Sequence, residues 1–402
     1  MYVPASFSVT HLTGENRRAF RSPTPMVRPC RILIIIGELV AGGSEQQLCY
    51  LLQEMDRERF SPVVVVWNYS ESDVNVAKMH ELGIPLWGYP LTTSSRKKLY
   101  LLARLARMLR PEVVHSFSFY TNVAAFCAAR ASGAIAVGSL RSAFDFALRD
   151  CGSILGRASA LLPQNQICNS HSAGQALRDA KWVGPKRVSV VPNGLDLQRF
   201  RRAPAAGSPP FCILGVGSLI PVKRWDRLLV VAQELKRRQL PCIVQIAGDG
   251  PLRSELETLA ERLDVQDVTQ FLGYRNDIPD LLARAHVVVH TSDTEGSANA
   301  IMEALAAGRP VIATDVGDAA RLIEHGKSGF IVPPDDSDAL LKHIIDIISD
   351  EFLAHRLGEA GWSYARREFS LSRFVEKTLD AYRSAGWDRR EVERTSRAKE
   401  AR

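Results

Sequence analysis

Glu295 and Glu303, two carboxylates with seven residues between them, mark the part of this 402-residue chain best suited to chemistry. The segment around them reads as a strand over 285–291, a polar turn, a helix, and a second strand over 310–313. Gly296, Ser297 and Asn299 stand where the helix would begin. A helix start presents backbone N–H groups and the positive end of a dipole, which suits a phosphate. One glutamate precedes the helix and the other follows about two turns later. Such a pair can hold hydroxyl-rich groups on either side of a bound diphosphate, so a nucleotide-sugar is the natural ligand. Either glutamate alone also fits an ordinary helix start or a solvated helix face; the pair in one turn is the stronger signal.

Other turns could serve the same chemistry. Gly215-Val-Gly217-Ser218 ends a strand, and Lys223 and Arg224 follow at a helix start, where cations complement a diphosphate leaving group. Two solvated basic residues are the alternative there. Ala247-Gly248-Asp-Gly250 ends another strand in small residues where a flat base could lie, and Gly273 ends the strand after it. Near the N-terminus a strand gives way to Gly37, then Gly42-Gly43-Ser44-Glu45, where glycines allow close approach to a phosphate or an acceptor. The spacing is not that of the Gly-x-Gly-x-x-Gly dinucleotide fingerprint. His115 and His290 each end a strand, at the edge where parallel sheets bind ligands; a satisfied structural histidine is the competing reading of His115.

These residues need a frame. The run Arg31-Ile-Leu-Ile-Ile-Ile-Gly37 is short, continuous and β-branched, as in a strand buried on both faces of a parallel sheet. Strand-like runs follow over 63–67, 113–116, 134–139 and 166–169, alternating with helical stretches over 74–82, 97–109 and 122–131. That alternation predicts a doubly wound α/β domain. Residues 201–210 are rich in Pro and Gly and read as a linker. The pattern then restarts, with strands over 211–217, 242–247, 268–272, 287–290, 310–313 and 329–332 and a terminal helix over 372–385.

Composition sets the limits. The length calls for two domains, and 46% apolar with 24% charged residues is a globular balance. No run approaches the ~18 apolar residues of a membrane span. Residues 1–29 are polar, lack a signal-peptide core and read as a disordered extension. Seven scattered cysteines without Cys-x-x-Cys argue for a reducing compartment and against zinc. Of the net charge of +7, the two termini carry +3 and +2, so the body is no nucleic-acid footprint. P-loop, Gly-x-Ser-x-Gly and His-Glu-x-x-His patterns are missing. The basic helix over 97–109 could touch an anionic membrane, or pack its leucines on the sheet.

Taken together the motifs resemble glycosyltransferase family 4, the retaining group 1 glycosyltransferases of the GT-B fold. The similarity runs from Arg31 to Ala385 and is carried by Gly37…Gly42-Gly43-Ser-Glu45, Val191-Pro-Asn-Gly-Leu-Asp196, Val216-Gly-Ser-Leu-Ile-Pro-Val-Lys223, Ala247-Gly-Asp-Gly-Pro251 and Glu295-x₇-Glu303, continued to Gly317.

The resemblance implies two Rossmann-like α/β domains facing each other across a cleft. The first, 30–200, would take the acceptor and the second, 201–370, the nucleotide-sugar. A terminal helix over 371–386 would pack back on the first, ahead of a disordered tail over 387–402. It gives Glu303 the ribose hydroxyls, Glu295 the transferred sugar, Lys223 and Arg224 the diphosphate, and the amides of Asn299, Ala300 and Ile301 phosphate or sugar. Gly217, Ser218, Gly248, Gly273, Gly296 and Ser297 would line the donor, and Gly42, Gly43 and Glu45 the acceptor or interdomain side. Glu295 and His115 are the expected catalytic residues.

The expected donor is a UDP- or GDP-sugar and the acceptor a glycan or lipid-linked molecule in surface-polysaccharide or lipopolysaccharide synthesis. No cofactor or metal is expected, and the location is cytoplasmic, with contact to the inner membrane face left open. A nucleotide-sugar epimerase and a silent partner subunit are the alternatives. Two departures stand out: Ser218 replaces the family's clamp arginine, and Phe117 the second histidine of His-x-His.

Overall fold

The computed structural model describes residues 30–40, 42–202 and 208–387. The extension expected over 1–29, residues 203–207 of the linker and the tail from 388 lie outside the described residues. The chain divides into two compact units, one running to Pro192 and resuming at Phe374, the other Asn193–Arg373. The division therefore falls ahead of the boundary expected at 200. Its cause is the second core, which already buries Leu195 and Phe200, with the Leu195 amide donating to the Phe369 carbonyl at 2.7 Å.

The first unit holds a parallel sheet of seven strands: β1 (Cys30–Ile36), β2 (Phe60–Tyr69), β3 (Leu86–Pro90), β4 (Val113–Ser116), β5 (Ile135–Leu140), β6 (Asn165–Cys168) and β7 (Val188–Val190). Their order is β3-β2-β1-β4-β5-β6-β7. Ile32, Ile34 and Ile36 pack on one face with Leu48 and Leu52, while Leu33 and Ile35 pack on the other with Leu102 and Ala125. Both faces of β1 are thus buried, which is why its sequence is continuously apolar. The edge strands β3 and β7 carry Gly, Pro or only three residues and left little pattern to read.

Leu102, Leu105 and Ala106 of the helix Ser95–Leu109 are buried in that core, so its apolar side is occupied by the sheet. The terminal helix Leu371–Ser384 sets Phe374, Leu379 and Tyr382 into the core beneath β1. Trp387 belongs to this fold rather than to the tail. It is 2% exposed, its ring lies 5.9 Å from that of Phe60, and its Nε1 donates to the Glu112 carboxylate at 3.3 Å.

The second unit holds six parallel strands, β8 (Phe211–Val216), β9 (Cys242–Ala247), β10 (Thr269–Gly273), β11 (Val287–His290), β12 (Val311–Thr314) and β13 (Gly329–Val332). Their order is β10-β9-β8-β11-β12-β13, so the connections reverse direction between β8 and β11. Chains leaving the carboxyl ends of those two strands diverge and open a crevice.

Candidate active site

The two loops at this switch point are stitched together. After β11 the Thr291 hydroxyl donates to the Lys223 carbonyl at 2.8 Å, and the Asp293 amide donates to the Val222 carbonyl at 2.9 Å. Thr314, at the end of β12, donates to the Ser292 carbonyl at 2.7 Å. Arg227 is buried in the helix Trp225–Arg237 and donates to the Thr291 carbonyl at 2.9 Å. It also pairs with Asp293 and Asp335, each at 2.7 Å. The backbone that carries Glu295 is therefore fixed from three neighbouring elements.

Gly317 adds a steric condition. Its φ is +57°, and a Cβ there would stand 2.5 Å from the Glu295 carbonyl oxygen. Gly248 does the same beneath Gly217, with φ +152° and a Cβ position 2.0 Å from the Gly217 carbonyl oxygen. Glycine is needed at both because the loops touch backbone to backbone.

Glu295 Oε1 collects three partners. Lys223 Nζ forms an ion pair with it. Ser292 Oγ donates to it at 2.9 Å, and His290 Nε2 stands at 3.1 Å. His290 Nε2 is also 3.2 Å from Ser292 Oγ, so a proton on that nitrogen is shared between the two oxygens. Burial pushes the Glu295 carboxyl up, but the His290 hydrogen bond and the Lys223 charge outweigh it and hold the group at about 2. Glu295 is thus an anion at neutral pH. Its second oxygen takes none of these partners, which leaves it able to accept from a sugar hydroxyl.

Glu303 is the opposite case. Its side chain lies on the buried face of the helix Asn299–Ala306, and that burial raises it to about 7, with the Arg199 charge pulling the other way. A carboxylate kept short of hydrogen-bond donors in a dry site is ready to accept hydroxyls from a ligand.

The remaining expectations fare unevenly. Gly296, Ser297 and Ala298 run between the two glutamates, and the helix opens at Ala298 without a side-chain cap. The Ile301 amide already donates to the Ala298 carbonyl at 3.1 Å, so of the three expected phosphate amides only those of Asn299 and Ala300 are left. Asn299 Oδ1 accepts from Asn193 Nδ2 at 2.7 Å. Ser218 is exposed and gives its carbonyl to Trp225 Nε1 at 3.0 Å. Gly273 gives its carbonyl to the Gly248 amide at 2.8 Å.

Arg224, in left-handed backbone, pairs with Asp226 at 2.9 Å and Asp293 at 3.1 Å, and these partners raise its pKa. It braces the loop and is not poised at the Glu295 carboxylate. The residues missed by the sequence reading are Arg227, Ser292, Asp293 and Thr314. The available signals were the basic run Lys223-Arg224…Arg227 and the acid within the Glu295 turn.

His115 requires correction as a catalytic residue. It is fully buried, with Nδ1 2.8 Å from Tyr382 Oη and Nε2 3.1 Å from Ser139 Oγ. Burial, then the charge of Arg141, holds its pKa well below the ordinary value. With both nitrogens engaged it is a structural histidine that anchors the terminal helix. Gly42 and Gly43 stand where the helix Gly43–Glu54 begins, and a Cβ on Gly42 would meet the Glu45 carboxylate at 2.2 Å. Burial raises Glu45. Among the described residues no three His, Cys, Asp or Glu side chains gather as a metal site, and no helix is long and apolar enough to cross a membrane.

Two family models match consecutive stretches of the chain: "Glycosyltransferase Family 4" over residues 41–199 and "Glycosyl transferases group 1" over 197–363. The chain belongs to glycosyltransferase family 4. It is a glycosyltransferase whose relatives work in polysaccharide and lipid-linked synthesis. One is the gpi3 subunit of phosphatidylinositol N-acetylglucosaminyltransferase from Schizosaccharomyces pombe, 27% identical over 85% of this chain and 78% of the relative. Another is the Escherichia coli UDP-Gal:alpha-D-GlcNAc-diphosphoundecaprenol alpha-1,3-galactosyltransferase, 27% identical over 71% and 79%. Anabaena HepE, solved with UDP and glucose, has a TM-score of 0.77 at 22% identity over 88% of this chain and all of its own. The fold is accordingly GT-B, with a Rossmann-like parallel sheet in each unit of this family member.

Proposed function

We propose that this glycosyltransferase takes its sugar from a UDP-sugar, bound at the β8–β11 switch point, and transfers it with retention of anomeric configuration. The observation that carries the reading is the pairing of Lys223 with Glu295, in the turn that leads into the helix carrying the buried Glu303. It sets a cation, a fixed anion and a dry hydroxyl acceptor in one crevice. Glu303 takes the ribose hydroxyls, the amides of Asn299 and Ala300 take phosphate oxygens, and Glu295 accepts from a hydroxyl of the sugar. Lys223 neutralises charge on the departing diphosphate. The bond from the anomeric carbon to the diphosphate oxygen breaks, and a bond to the acceptor oxygen forms on the same face. The acceptor's proton passes to the departing phosphate oxygen. No cofactor or metal enters this scheme.

The names of the relatives support UDP as the nucleotide and a phosphate-bearing lipid as the acceptor. An acceptor of that kind puts the enzyme at the inner membrane face as a peripheral protein. A thermal-shift panel of UDP-, GDP-, ADP- and dTDP-sugars tests the donor reading. A UDP-sugar at a hundredfold excess over Kd stabilises by roughly 2.7 kcal/mol and raises Tm. A panel in which no nucleotide moves Tm sinks it.

A further inference from the structure

Arg141 leaves the carboxyl end of β5 in the first unit, and nothing in the donor chemistry uses it. Its guanidinium carbon lies 4.0 Å from the centre of the Phe117 ring, a cation–π seat that fixes the plane of the group. Its backbone is also pinned, since the Arg141 carbonyl accepts from Asn169 Nδ2 at 3.2 Å. Yet Nε and Nη1 are buried and donate to nothing among the described residues. Glu45 is the acid that feels its charge, but no ion pair joins the two. Burial lowers the guanidinium to about 10, against the opposing pull of Tyr382 and Glu45, so it remains a cation at neutral pH.

Unmet N–H groups out of water are costly, and a charged group left so is costlier. Phe117 is the residue that stands where the family has a second histidine, so the ring under Arg141 is itself a departure of this chain. A cation with unmet N–H groups favours an anion as its partner. One unmet N–H on Nε and two on Nη1 do not share an edge of the guanidinium. They suit a group with three or more acceptor oxygens better than the two of a carboxylate.

We propose that Arg141 is the phosphate receiver of the acceptor, seated on Phe117 at the carboxyl edge of the first sheet. The inference rests on the glycosyl-transfer reading and deepens it, because it makes the acceptor a phosphate-bearing molecule and names the residue that selects it. The phosphate can sit on a lipid or on a soluble sugar.

The test is thermal shift with the donor site saturated by UDP, on the wild type, Arg141→Gln and Arg141→Lys. The probes are inorganic pyrophosphate, glucose 1-phosphate and farnesyl diphosphate. The wild type is expected to gain Tm with pyrophosphate in the presence of UDP, and the stronger of the two organic probes tells lipid-borne from soluble phosphate. Arg141→Gln should weaken that response about tenfold or more, the loss of one charge-assisted hydrogen bond. Its ligand-free Tm should not fall, because an unmatched charge has been removed, and Arg141→Lys should recover part of the response. Equal responses in wild type and Arg141→Gln overturn the assignment. So does a wild-type response that vanishes once UDP is bound, which would place the anion on the donor side. Failure of UDP itself to shift Tm counts against the donor reading, and the response of Arg141 to pyrophosphate is then read without UDP.

Discussion

Lys223 and Glu295 form an ion pair although they lie 72 positions apart in the chain, because β8 and β11 are neighbours where the strand order reverses. Ser292 and His290 converge on the same carboxylate oxygen, so the position and the charge of Glu295 are set before any ligand arrives.

Glu295→Gln keeps the shape and removes the charge. A carboxyl held at about 2 stabilises the fold above the ordinary carboxylate range, and that stability is lost as pH falls toward 2. The variant should be less stable at pH 7 by about 1–3 kcal/mol, since Lys223 loses its partner. Its kcat should fall about 10²–10³-fold. Melting curves and a sugar-transfer assay check both, and a kcat within a few-fold of wild type removes Glu295 from the chemistry.

Glu303→Gln should behave in the opposite sense. A carboxyl raised to about 7 by burial contributes stability at low pH that is lost as pH rises through 7. Removing it should raise Tm at pH 8 while donor affinity falls roughly tenfold or more, the scale of one hydrogen bond to a charged group. A lower Tm at pH 8 would show that Glu303 is paired in the fold and not held for a ligand.

The same group predicts a pH profile. In the proposed site donor hydroxyls would stabilise the charged form of Glu303, so binding would release its proton. Affinity for UDP-sugar should therefore rise as pH increases from 6 to 7 and level off above about 7. Calorimetry across pH 6 to 8.5 measures it, and a Glu303→Gln variant should lose the slope.

His115→Gln tests the corrected role. Losing the contacts to Tyr382 and Ser139 should destabilise the protein by about 1–3 kcal/mol, with kcat per folded molecule unchanged within a few-fold. A large kcat loss at unchanged Tm would return His115 to the reaction.

Much of the proposed donor side was legible because it is local. The glutamate pair, the glycine turns and Lys223 fall within short strand–turn–helix segments, where spacing in sequence is spacing in space. The partners that fix them were not legible, since Arg227, Ser292 and Thr314 meet the Glu295 turn only through strand order. His115 misled for the same reason. Its strand-end position is local, but the Tyr382 that closes its ring lies 267 residues away. Trp387 read as tail because the polar residues after it hid one buried anchor. The unmet donors of Arg141 depend on which neighbours are absent, and no sequence pattern records that.

Calorimetric titration of UDP into the wild type and Lys223→Ala, at pH 8 and one fixed salt concentration, decides whether Lys223 holds the donor diphosphate. The wild type should show one site, and the variant should bind more weakly by about tenfold or more, the loss of a charge-assisted contact to the diphosphate. Equal affinity in the two proteins, or no binding by the wild type, would contradict that role.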